Sequence, residues 1–99
     1  MNLVTDVNRA TRVTASGVTA INSGNNTALY AIMANSGTAG TINIYHGTTT
    51  GTSTSIIASG ITLVTGVPIY PRVYGSGGIA VLVTGWTTPD ITFYWQQMP

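Results

Sequence analysis

The chain has 99 residues and contains no lysine, no glutamate and no cysteine. Its charged side chains are Asp6, Asp90, Arg9, Arg12 and Arg72. An ordinary soluble domain is roughly one quarter charged; here the fraction is 5%. Each absence excludes something. Without cysteine there is no disulfide framework and no thiolate metal site. Three arginines and no lysine make no basic face, and phosphate neutralisation supplies most affinity for nucleic acid, so no nucleic-acid partner is expected. One histidine, two aspartates and no glutamate leave a single chain barely able to assemble a metal site, and no metal or cofactor is expected. No apolar run approaches the roughly 20 residues of a membrane-spanning helix, so no membrane partner is expected. Met1 to Asp6 lacks a basic segment followed by an apolar one, so no signal peptide is expected either.

What remains is apolar and small. The apolar fraction is 43% and the formal net charge +1. Disorder requires low hydrophobicity with high net charge, and this chain has neither, so it should fold. At this length one domain with a modest core is feasible. The surface must then consist of Thr, Ser, Asn, Gly and apolar groups. A surface of that kind, with net charge near zero, favours association. The composition thus predicts a component of an assembly rather than an enzyme.

Thr and Val suit a pleated chain because of their branched Cβ. Glycine punctuates the sequence about every ten residues, the spacing of short strands in a sandwich or barrel. The clearest strand is Thr27 to Ser36, apolar on both faces: Tyr30, Ile32 and Ala34 alternate with Leu29, Ala31 and Met33. Thr41 to His46 follows a turn at residues 36–40, with Ile42 and Ile44 inward and Asn43 and Tyr45 outward, and the two strands are expected to form a hairpin. Gly47 to Ser55 is nearly all Thr, Gly and Ser and reads as an exposed loop. Short strands are expected at Ser55 to Ala58 and Ile61 to Thr65. Pro68 and Pro71 cannot donate ladder hydrogen bonds, which puts their segment at an edge or at a bend between sheets. Gly75-Ser76-Gly77-Gly78 is a tight turn before a buried strand, Ile79 to Thr84. Thr88-Pro89-Asp90 reads as a turn. Ile91 to Gln97 closes the chain, with Ile91, Phe93 and Trp95 on one face and a second hairpin expected with Ile79 to Thr84. Residues 1–12 read as an extended arm and 13–99 as one domain, opening with a strand from Val13 to Ile21. The expected fold is all-β: a small antiparallel β-sandwich of about seven or eight strands, with a jelly roll among the topologies that this count allows.

The candidates for chemistry are few. His46 is the single imidazole, beside no nucleophile elbow or comparable signature, and reads as a polar turn residue. Asp6 and Asp90 are the sole carboxylate pair that glycoside hydrolysis could use; Asp90 instead fits a turn residue bonding its own backbone. No catalytic residue is therefore assigned. Partner binding is assigned to Leu3, Val4, Val7, Arg9 and Arg12 of the arm, with the arginines expected to meet acidic groups on a protein partner. Tyr74, Trp86, Tyr94 and Trp95 are the interface or ligand aromatics, and Trp86 with Tyr74 is a candidate sugar platform.

Several stretches carry a resemblance. They are Ala34-Asn35-Ser36, Gly40-Thr41-Ile42-Asn43-Ile44-Tyr45 with the loop at Gly47, Gly77-Gly78-Ile79-Ala80-Val81, and Asp90-Ile91-Thr92-Phe93-Tyr94-Trp95. From about Leu29 to Trp95 the chain resembles small β-sandwich virion proteins of tailed bacteriophages, those that decorate or cement a capsid. An Asp often precedes the loop glycine in such chains; here His46 stands there. The resemblance implies a structural protein on the capsid surface, made in the host cytoplasm. It implies the major capsid protein as partner and a homo-oligomer, with a trimer favoured. The alternative it leaves open is a carbohydrate-binding or host-attachment module of a tail or fibre.

Overall fold

Branched and aromatic residues between glycine turns do produce strands throughout. The structure, a computed structural model, describes residues 9–38, 40–47 and 56–98. Among them are β1 (Arg9–Val13), β2 (Gly17–Ser23), β3 (Thr27–Thr38), β4 (Thr41–His46), β5 (Ile56–Ile61), β6 (Val73–Gly75), β7 (Gly78–Thr84) and β8 (Thr87–Gln97), with no helix in the described residues. They form two four-stranded sheets: sheet A in the order β1-β8-β3-β6 and sheet B in the order β2-β7-β4-β5. The pairs β1·β8, β2·β7, β3·β6 and β4·β5 are antiparallel, as in one long folded ribbon. Rolling that ribbon adds the antiparallel pairs β3·β8 and β4·β7. This is a jelly roll.

The core lies between the sheets. Leu29, Ile32, Ile42, Ile44, Ile91 and Phe93 are fully buried in it. Burying one such side chain stabilises the fold by roughly 1.5–3 kcal/mol. Strict alternation in β3 would send Leu29 and Ile32 to opposite faces. The ladder with β8 passes from Leu29↔Trp95 to Ala31↔Tyr94, so Tyr30 is an extra residue on β3. This bulge shifts the alternation by one and turns both Leu29 and Ile32 inward. The expected orientation of Ile42 and Ile44 holds, although Tyr45 on the opposite face is also buried. The one buried polar residue among those described, Thr27, is satisfied locally: its hydroxyl accepts from Asn22 Nδ2 (2.9 Å) and donates to the Asn25 carbonyl (2.9 Å).

Four expectations are corrected. The β3–β4 and β7–β8 hairpins do not exist, because each pair is divided between the two sheets. Alternation shows which face of a strand is apolar, but that face can meet a neighbour across a layer as well as beside it. Thr88-Pro89-Asp90 is not a turn: it is the irregular start of β8, with Thr88 at φ 46° and shifted register against β3. β1 stops at Val13, opposite Ile91, so Pro89 lies beyond that ladder and its missing N–H leaves no bond unmade there. The strand expected at Val13 to Ile21 is β2, starting at Gly17. The arm, expected to reach Arg12, yields Arg9–Arg12 to β1, whose pairing with β8 supplies ladder bonds that local propensity cannot reveal. Residues 1–8 lie outside the described residues, as does most of the loop expected at Gly47 to Ser55.

The proline segment is at an edge of sheet A. Ile69 exchanges backbone bonds with Ile32 (3.0 and 2.9 Å), and the Gly66 N–H donates to the Ala34 carbonyl (2.8 Å). Residues 66–75 thus follow β3 as a strand interrupted where Pro68 and Pro71 stand, an edge poorly suited to strand addition.

The two short sheet-to-sheet passages, β3 to β4 and β7 to β8, run against each other. A Cβ on Gly40 would collide with the Thr84 carbonyl oxygen, lie 2.6 Å from Gly85 C and 2.7 Å from Trp86 Cδ1. Two of those atoms are backbone and cannot swing away. Gly40→Ala should therefore cost about 1–3 kcal/mol. A thermal melt should show Tm lowered by roughly 5–20 °C at this size; an unchanged Tm would mean that the passages are not in contact.

Candidate interaction face

Residues directly opposite each other in a ladder share a face. On the outer side of sheet A this places Ala10, Tyr94 and Ala31 in one row, and Arg12, Thr92 and Met33 in the next. Gln96, Ala28 and Tyr74 form another. The bulge residue Tyr30 joins them, its ring centroid 6.5 Å from that of Tyr94 and tilted by 39°. Apart from Arg12, these rows hold Ala, Met, Tyr and uncharged polar groups.

Its charges close on each other. Arg12 Nε donates to Asp90 Oδ1 (2.7 Å) and Arg12 Nη2 to Asp90 Oδ2 (2.6 Å), a bidentate fork. Asn35 Nδ2 donates to Thr92 Oγ1 (2.8 Å) and to Asp90 Oδ1 (3.3 Å). The Arg12 side chain is 65% exposed and that of Asp90 19%. Asp90 is thus no backbone-bonding turn residue, and Arg12 meets its acid within the chain rather than on a partner. The hydrogen bonds from Arg12 hold the Asp90 carboxyl below its ordinary value of 3.8; desolvation opposes them, while Asn35 and the Arg12 charge add to them. The same bonds raise Arg12 above its ordinary value.

The other assigned residues divide. Arg9, at the end of β1, lies over the Trp95 ring, 5.6 Å from its centroid, a cation–π contact. Trp95 is buried, and its indole N–H donates to Thr11 Oγ1 (2.9 Å). Trp86 is 7% exposed and belongs to the core, with Nε1 buried and unpartnered among the described residues. The platform of Trp86 with Tyr74 is therefore not formed: the passage from β7 to β8 carries Trp86 between the sheets. Tyr74 and Tyr94 remain on the outer face. Leu3, Val4 and Val7 lie outside the described residues. His46 Nδ1 accepts the Ser76 backbone N–H (2.9 Å), the contact of a turn residue. No group of three or more His, Cys, Asp or Glu that could hold a metal occurs among the described residues.

A second apolar feature adjoins the face. Val64 (68% exposed), Val67 (51%), Tyr70 (62%) and Tyr74 (48%) line the proline edge. Val64 and Val67, paired across a turn, escaped the sequence reading because a strand was expected to end there; the two prolines were the available signal. Asn35 escaped it as well, since its partners lie on β8, 55 and 57 residues away.

No protein-family model and no curated protein matches the chain. Among solved structures it is similar to a chain from Bacillus endospore appendages, which form a novel family of disulfide-linked pili. The identity is 18% and the TM-score 0.44, over 96% of this chain and 90% of that one. At that level the likeness bears on neither partner nor activity. This chain, having no cysteine, cannot form such a linkage itself.

The depressed Asp90 group favours the folded state above its unfolded value, and that contribution disappears as pH falls through the lower folded value. The Tm advantage of the wild type over Asp90→Asn should therefore be full near neutrality and shrink between roughly pH 5 and pH 2. Asp6 is the only other acidic side chain, so little else blurs this titration. A gap that stays constant across that range would show that the fork contributes nothing to stability.

Proposed function

We propose that the chain is a non-enzymatic structural protein of a virion, a decoration or cement protein that docks on the major capsid protein and stabilises the shell. The observation that carries this reading is the outer face of sheet A, a broad strand surface whose one ion pair among the described residues is closed on itself. Among the described residues such a face has no unpaired charge to desolvate when another protein covers it, and burying an unpaired charge is strongly unfavourable. Its tyrosines and methionine are types enriched in protein interfaces. The jelly roll is also an architecture found in capsid proteins, and the phage-virion resemblance stated above points the same way.

Docking of this kind rests on apolar burial and hydrogen bonds, so salt should affect it little. Particles washed in about 1 M NaCl should keep the protein, and mass spectrometry should count hundreds of copies per particle. Release from intact particles under that wash would overturn the reading, and a few dozen copies would move the protein to the tail. Because Arg9–Arg12 belong to β1, the deletion that tests the arm is residues 1–8, and it should lower occupancy on the shell. Unchanged occupancy would remove the arm from docking.

A further inference from the structure

Two open four-stranded sheets have four edges, and among the described residues three of them are blunted. Pro68 and Pro71 interrupt the edge that follows β3 beyond β6. β2 carries an extra residue between Ala20 and Asn22. β5 twice shifts register against β4, and its Gly60 stands at φ 67°. Bulges and prolines are what keep sheet edges from pairing with other chains. β1 has neither. It follows β8 without a shift from Arg9↔Trp95 to Val13↔Ile91. Charged side chains can also guard an edge, and β1 has two. Both lean inboard over β8 instead, Arg12 into its fork with Asp90 and Arg9 onto the Trp95 ring.

The neighbouring strands fix which backbone groups of β1 face outward. Ile32 exchanges both backbone bonds with Ile69, so its N–H and C=O point away from β8. The pair Phe93↔Ile32 is therefore a non-hydrogen-bonded one, and Phe93 bonds Thr11 on its other side. By alternation Arg9, Thr11 and Val13 are bonded to β8. The N–H and C=O groups of Ala10 and Arg12 point out of the sheet, and none has a backbone partner among the described residues. We propose that a second copy of the chain fills this edge: the two β1 strands pair antiparallel about a two-fold axis at Thr11, and two copies of sheet A become one sheet of eight strands. The sequence of β1 selects a second copy because it is its own complement. With Thr11 opposite Thr11, the outward groups of Ala10 meet those of Arg12 on both sides of the axis, giving four hydrogen bonds. Arg12 then faces Ala10, and Arg9 faces Val13. A Thr–Thr pair across strands is favourable, whereas like charges directly opposite are not. Moving the axis to Arg12 would set arginine against arginine. Moving it to Ala10 would leave Arg12 without a partner inside β1. The contact is isologous and closes at two copies, a dimer where the resemblance favoured a trimer.

The contact uses an edge and leaves the outer face of sheet A open, so it is independent of capsid docking. Its test is sedimentation equilibrium on the purified full chain and on Ala10→Pro. The Ala10 N–H faces away from β8, so proline there removes no bond of the chain's own ladder, and circular dichroism with a thermal melt checks the fold. The wild type should dimerise. Ala10→Pro lacks two of the four hydrogen bonds and should weaken dimerisation by at least about tenfold. A second measurement does without the proline. The chain has no cysteine, so Thr11→Cys carries a single thiol. Its Cα lies about 4.5 Å from that of its twin in a non-hydrogen-bonded pair, within disulfide reach. The thiols of Ala10→Cys are diagonal neighbours at roughly 7–8 Å, beyond that reach. Under mild oxidation Thr11→Cys should form a covalent dimer at least about tenfold faster than Ala10→Cys. A wild type that stays monomeric, a folded Ala10→Pro variant with unchanged association, or Ala10→Cys cross-linking as fast as Thr11→Cys would each overturn the proposal. None of these results depends on particles, so capsid docking stands or falls separately.

Discussion

Everything in this jelly roll hangs on the place where two sheet-to-sheet passages meet. Gly40, leaving β3 for β4, lies against Thr84, Gly85 and Trp86 as β7 leaves for β8. Only a residue without a Cβ allows the backbones so close. With the passages in contact, β3 and β8 lie side by side in sheet A and β4 and β7 side by side in sheet B. The same crossing carries Trp86 into the core and away from any ligand.

Shortage of charge shapes the exterior in a related way. The sandwich places Arg12, Asp90, Asn35 and Thr92 on one face and lets them satisfy one another. The fork also ties the edge strand β1 to β8. The face is left neutral and rich in tyrosine, while the apolar residues at the proline edge stay uncovered. A small domain with these two features is suited to being covered by protein.

Some of this was legible from residue order. Thr, Val and Ile between glycine turns predicted an all-β sandwich, and Pro68 with Pro71 marked an edge. Ile91, Phe93 and Trp95 were placed on one face, and all three are buried there. Other features were not legible. The Tyr30 bulge reverses half of β3, and a bulge is set by what the partner strands present rather than by a local signal. Arg12 and Asp90 are 78 residues apart, so neither could be read as the other's partner. β1 looked like a free arm because four of its five residues are Arg, Ala, Thr and Arg, with nothing local to require a strand.

By itself the sequence determined the fold class and the scarcity of chemistry: alternation and turn spacing are local, and an absent residue type stays absent in any fold. The tertiary structure alone decided which strands are neighbours, which aromatic rings face water and which charges are already spoken for. Those depend on contacts between residues far apart in the chain. The physical reason is that period-2 alternation assigns a strand its apolar face, whereas the close approach at Gly40 decides what that face will meet.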